Sequence, residues 1–168
     1  MINLVFAGRF PQKTRLVKFA DDVINHFFKR DRKDIICVGI EMKPKLEFND
    51  AGFCVDYGSF ACEQFGDKKY SGRRSRMISI SLARNYFDAD EEYSENFPYS
   101  VKEIASTLAH ELVHAKQYIR RELTAKALTN ALYTSAGKRK TLSTEQYRNL
   151  PWEEEAFRLE EELLELYW

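Results

Sequence analysis

Thr107-Leu108-Ala109-His110-Glu111-Leu112-Val113-His114-Ala115-Lys116-Gln117-Tyr118 is the stretch on which the reading of this chain turns. It holds two of the protein's three histidines, four positions apart, with a glutamate directly behind the first. Upstream, Ser100-x-x-Glu103 is a capping box, which predicts a helix beginning at Val101 with Ser100 as N-cap. Along it Val101, Ile104, Ala105, Leu108, Leu112 and Ala115 recur at three- and four-residue spacing and form a stripe to be buried. Residues i and i+4 of a helix lie on one face, about 6 Å apart along the axis. His110 and His114 can therefore present two imidazoles to one metal ion. Glu111, turned by about 100° from His110, does not easily join them as a ligand but can reach a water held at the ion. Ligands that lower a water's pKa and a base that takes its proton are the requirements of zinc-assisted hydrolysis.

The rest of the composition narrows the setting. A chain of 168 residues fits one domain, 1–168, with room for a sizeable core. Its 26 basic and 26 acidic side chains cancel, so net charge gives no argument for a nucleic-acid or membrane partner. The start, MINLVFAGRF, has an apolar run without a preceding basic residue or a cleavage site, and does not read as a signal peptide. No run of eighteen apolar residues predicts a membrane span. Three cysteines (Cys37, Cys54, Cys62) without a C-x-x-C pair point to free thiols in a reducing cytoplasm, with a Cys54–Cys62 bridge as the alternative.

Outward from the central helix, Leu16, Phe19, Ala20, Val23, Ile24 and Phe27 predict an amphipathic helix from Thr14 to about Arg30. The third histidine, His26, falls off that stripe and reads as a solvated surface residue. Ile35–Met42, Phe53–Tyr57 and Met77–Leu82 alternate with period two and predict strands, with Ser59–Phe65 continuing or pairing with the second. Short antiparallel strands joined by turns are the economical arrangement. Lys68–Arg76, KKYSGRRSR, carries five basic residues and reads as a solvated hairpin loop, or as a phosphate-contacting one. After a polar link, Asp88–Asn96, the pattern is helical through Leu123, Ala127, Leu128 and Ala131 up to Gly137. A last helix begins near Pro151 and buries Trp152, Ala156, Leu159, Leu163 and Leu166.

In its motif helix the chain resembles the HExxH metallopeptidases called zincins. Lys116 departs from their pattern, which usually has an apolar residue there. The resemblance implies an α+β fold: N-terminal helix, small twisted and mostly antiparallel sheet, active-site helix, C-terminal helices. It also implies an edge strand lining the cleft, here Met77–Leu82 with Ser79 and Ser81 on its polar face. Metzincins and the SprT-like group take a third histidine downstream, and none follows His114. Gluzincins take a glutamate from a later helix. The candidate segment is Pro151-Trp152-Glu153-Glu154-Glu155-Ala156-Phe157, where spacing alone leaves all three glutamates open. Its E-x-x-A unit resembles that of ImmA/IrrE-like and related bacterial and phage metallopeptidases, which carries the ligand role to Glu153. The 38 residues between His114 and Glu153 exceed the gap in compact gluzincins and leave space for an extra helical segment, Arg121–Thr134.

The expectation is a zinc metallopeptidase in which His110, His114 and Glu153 bind Zn2+ and Glu111 is the general base toward a zinc-activated water. Its partner would be a protein or peptide substrate, with nucleic acid and membrane not expected. The oxyanion-stabilising group stays open among Tyr118, Tyr133 and Tyr147. The rival reading keeps the zincin core as a binding or regulatory protein, tied to DNA through Lys68–Arg76.

Overall fold

A computed structural model describes residues 2–28, 35–47, 50–61, 74–87 and 96–168. The apolar run at the N-terminus is a strand, β1 (Ile2–Ala7), with Ile2, Leu4 and Phe6 packed on the core and Asn3, Val5 and Ala7 outward. Helix α1 (Lys13–Phe27) buries Leu16, Phe19, Ala20, Val23 and Ile24, the anticipated stripe. Strands β2 (Ile35–Lys43), β3 (Gly52–Ala61) and β4 (Arg74–Ala83) follow, then a small ribbon of β5 (Asn85–Phe87) and β6 (Asn96–Pro98). Four helices complete the chain: α2 (Val101–Arg120), α3 (Ala125–Leu132), α4 (Thr144–Arg148) and α5 (Pro151–Tyr167). The class is α+β, as expected.

The main sheet has the order β1-β2-β4-β3. Its β1–β2 and β2–β4 pairings are parallel and only β3–β4 is antiparallel, so the expected antiparallel majority is corrected. The cause is the helix between β1 and β2, which returns the chain to the end from which it started. Period-two alternation tells which residues face the core and says nothing of strand direction.

The expected edge strand is corrected too. Met77–Leu82 lies in β4, an inner strand between β2 and β3, and the edge beside the motif helix is β3. Ile78, Ile80 and Leu82 are at most 1% exposed. Ser81, which suggested a wet face, is buried and donates to Glu41 Oε1 at 2.8 Å.

One hydrophobic cluster joins α1, the inner face of the sheet, α2 and α5. Ser100 caps α2 with both halves of the capping box formed. The helical pattern after Arg120 is broken where Arg121 turns left-handed at φ 62°. Thr124 then caps α3 by accepting from the Ala127 amide. In α5, Ala156 and Leu163 are buried and Trp152 and Leu159 half-buried, while Leu166 is exposed, contrary to expectation. His26 is not a freely solvated residue: its Nδ1 lies 2.9 Å from the Tyr167 hydroxyl.

Residues 68–73 of the basic stretch lie outside the described residues, as do Cys62 and residues 88–95 of the polar link. Cys54 is a free thiol. Arg76 sits in β4 and forms a two-point ion pair with Asp56 of β3, with Nε 3.0 Å from Oδ1. It is thus committed within the sheet. No helix among the described residues is long and apolar enough to cross a membrane.

This pair makes a testable contribution to stability. Burial opposes charge on Asp56, but Arg76 and the Gly58 amide outweigh it and hold the carboxyl below its ordinary 3.8. The contribution is therefore present above pH 3.8 and lost as pH falls through the lowered value. Asp56→Asn should cost about 1–3 kcal/mol near neutral pH. In urea unfolding measured from pH 7 to 2, the gap between the two proteins should close at the acid end.

Candidate metal centre

The site is built where α5 crosses α2. The dihedrals of a helix put His110 and His114 on one face of α2, and the packing of α5 brings a third donor to them. Pro151 opens α5, a position that needs no amide hydrogen bond. Two residues later Glu153 turns inward and is 2% exposed, whereas Glu154 faces solvent. Ala156, one turn on, is fully buried and lets the two helices approach closely.

The approach is fastened by polar contacts. Lys116, the residue that departs from the zincin pattern, is 4% exposed. Its ammonium bridges Glu155 of α5 at 2.6 Å and Glu122 at 2.7 Å. Gln117 donates to the Trp152 carbonyl at 2.9 Å and to Glu155 Oε2 at 2.8 Å. Glu155 is therefore committed to Lys116 and Gln117, and Glu154 to water. Of the three candidate glutamates, only Glu153 faces the histidines.

His110 Nε2 and His114 Nε2 lie 3.1 Å apart. Glu153 Oε2 is 3.2 Å from His110 Nε2, and Oε1 is 3.4 Å from His114 Nε2. Zinc bonds of about 2.0–2.1 Å define a tetrahedron with edges of about 3.3 Å. The three separations match one face of such a tetrahedron. Burial opposes charge on these groups, but mutual attraction wins: Glu153 is held down at about 2 and His110 pushed up to about 10. The cluster as it stands favours positive charge at its centre. His110, His114 and Glu153 could hold a metal ion.

The other imidazole nitrogens are also engaged. His110 Nδ1 faces Glu160 Oε2 at 3.2 Å, and Ser106 donates to the other Glu160 oxygen. His114 Nδ1 lies 2.8 Å from Gln117 Oε1. An acceptor at each Nδ1 holds a proton there, so that Nε2 is the nitrogen that would give up its proton to a metal. Sequence reasoning missed both acceptors. Each had a signal: Gln117 is three residues after His114, and Glu160 is two helical turns after Glu153 on the same face.

Glu111 points elsewhere, toward β3. It is 5% exposed, and its Oε2 has no hydrogen-bond partner among the described residues. Burial lifts its carboxyl to about 7, against the pull of His114 and His110. Gly52 explains how β3 comes so close. A Cβ there would lie 2.6 Å from Thr107 Cγ2 and 3.2 Å from Glu111 Oε1. The glycine is needed for space, and no motif in the sequence announced it.

Beside the donors opens a cavity of about 730 Å3, lined by Gly52, Cys54, Glu111 and His114 on one side and by residues of α3, α4 and their connection on the other. The three open tyrosines now separate. Tyr147 of α4 lines the cavity with Glu153; it is 38% exposed, and partial burial and the Glu153 charge raise its pKa. Tyr118 also lines it, buried and with a raised pKa, and Tyr133 is exposed and bridged to Arg139 instead. Burial likewise keeps the Cys54 thiol protonated.

No family model, curated protein or solved structure matches this chain. The case for a metal therefore rests on the donor set and is tested on it. One zinc per chain is expected by elemental analysis after dialysis, and His110→Ala or His114→Ala should abolish it. Glu153→Ala should weaken binding by orders of magnitude and Glu154→Ala leave it intact. Glu160→Ala, which removes the acceptor behind His110, should cost about 10–100-fold in affinity. Binding that survives all three ligand changes would place the metal elsewhere.

Proposed function

We propose that the protein is a zinc-dependent peptidase of gluzincin type, acting in a cytoplasm. The observation that carries the reading is the buried Glu111 carboxylate oxygen, unpartnered among the described residues, beside a three-donor cluster at the wall of a cavity. A purely structural zinc needs four protein ligands and no base. Among the described residues there are three such donors, with the Glu111 carboxyl next to them.

When bound, the metal supplies Lewis acidity, lowering the pKa of a water and polarising a carbonyl. The chain does the rest. Glu111, raised toward neutrality by burial, takes a proton from the attacking water and delivers it to the departing amine. Glu160 and Gln117 hold the imidazoles in register. Tyr147 keeps its phenolic proton and can donate to the carbonyl oxygen as charge develops there. The edge position of β3 leaves backbone groups that an extended peptide can pair with.

Glu111→Gln discriminates this reading well. Zinc content should be unchanged, and hydrolysis of a casein-derived peptide mixture should fall about 100-fold or more. Its effect on stability should have the opposite sign. A buried acid whose pKa is raised from 4.5 to about 7 costs stability as pH climbs through that interval, and the full cost persists above it. The metal-free variant should therefore melt higher than the parent at pH 8 and match it at pH 4. An active variant would move the base to another residue.

Gly52→Ala is the companion test. The added methyl must displace Thr107 or Glu111, so activity should fall while the metal stays bound. Full activity in this variant would mean that β3 does not set the position of Glu111.

A further inference from the structure

We infer that the cavity beside the metal centre is a receptor for a bulky apolar side chain, so that the substrate is a peptide with a large aliphatic or aromatic residue next to the cleaved bond. The inference rests on the peptidase reading for the word substrate and on the lining of the cavity for the rest.

The wall facing the donors comes from the segment that separates the two ligand-bearing helices. From it Leu123, Leu128, Leu132 and Leu142 line the cavity, joined by Trp152 at the start of α5. Leu123 is buried, 3% exposed. Leu128, Leu132 and Leu142 are only half-buried, so each keeps apolar surface uncovered on that wall. Helix α3, which carries two of them, has no fully buried residue. Leu128 packs against the core cluster, and Leu128 and Leu132 both line the cavity.

The volume of about 730 Å3 lies within the range of sites that take small molecules or side chains, about 300–1,000 Å3. Asp50, Arg139, Lys140, Thr141, Ser143 and Thr144 share the lining, but Lys140 already donates to the Asn130 carbonyl at 2.8 Å. Arg139 and Asp50 attract one another. A charged substrate side chain would have to compete with these contacts. An isobutyl or benzyl group would need only to cover leucine surface, and burying one is worth about tenfold or more in affinity over glycine.

A readout that needs neither metal nor catalysis is available. The chain has two tryptophans, and Trp168 packs away from the cavity against Phe19 and Arg15. In a Trp168→Phe background the emission of Trp152 reports on the cavity. N-acetyl-leucine amide titrated into the metal-free protein should shift that emission with a midpoint at least about tenfold below that of N-acetyl-glycine amide. Leu128→Ser together with Leu132→Ser should remove the difference while the thermal unfolding midpoint stays close to the parent's. An equal response to both amides, or a leucine response that survives the double change, overturns the inference. The second measurement is cleavage of a peptide mixture by the zinc-loaded protein. Cuts enriched beside leucine, phenylalanine or methionine, with that enrichment lost in the double variant, support it. Cuts without such preference overturn the pocket and leave the peptidase standing. A leucine-selective shift without any cleavage keeps the pocket and overturns the peptidase.

Discussion

The contact between α5 and the second half of α2 is the constraint on which the rest depends. Two imidazoles on α2 are an incomplete set, and α5 must deliver a carboxylate into a region from which water is largely excluded. Glu153 could not be 2% exposed without the histidines that offset its charge. Equally, the histidines would gain no partner if α5 were rotated by one residue. The rotation is fixed by Ala156, which permits the approach, and by the Lys116–Glu155–Gln117 cluster, which locks it. Packing and charge thus specify the same geometry. The sheet takes part through Gly52, where the missing side chain lets β3 lie against Glu111.

Much of this arrangement is legible in the sequence. Helix starts at Ser100 and Pro151 are written in local chemistry, a capping box and a first-turn proline, and both appear where read. The stripe of α1 and the strand cores at Ile36, Val38 and Ile40 and at Ile78, Ile80 and Leu82 follow from periodicity alone. The juxtaposition of His110, His114 and Glu153 combined one local fact, the four-residue spacing, with one that came by resemblance. What escaped was non-local. Whether β1 and β2 run parallel depends on the helix between them. Whether β4 is an inner strand depends on where β3 is inserted. Ser81 illustrates the difficulty, since a serine on an outer face reads as wet until its partner Glu41 is known.

The site residues show the same division. Glu111 was marked by its place in the motif, but the absence of a partner for Oε2 is a property of its surroundings. Lys116 was visible only as a departure from a pattern. Its burial between Glu155 and Glu122 gives that departure a physical cause: a cation inside an interface is tolerable when two carboxylates meet it. Removing a carboxylate is costly, because the ammonium it met is buried.

That last point bears on the history of the sequence. A change at position 116 or at 155 removes the same ion pair. A chain with an apolar residue at 116 would leave the carboxylate at 155 to Gln117 alone, and a change at 155 alone would leave the ammonium to Glu122 alone. Homologous chains should therefore come in two kinds, those with a lysine and glutamate at this pair and those with neither. Such correlated exchange would connect an interior position of the motif helix to the glutamate run of the terminal helix, and would tie the two segments together where overall identity is too low to align them.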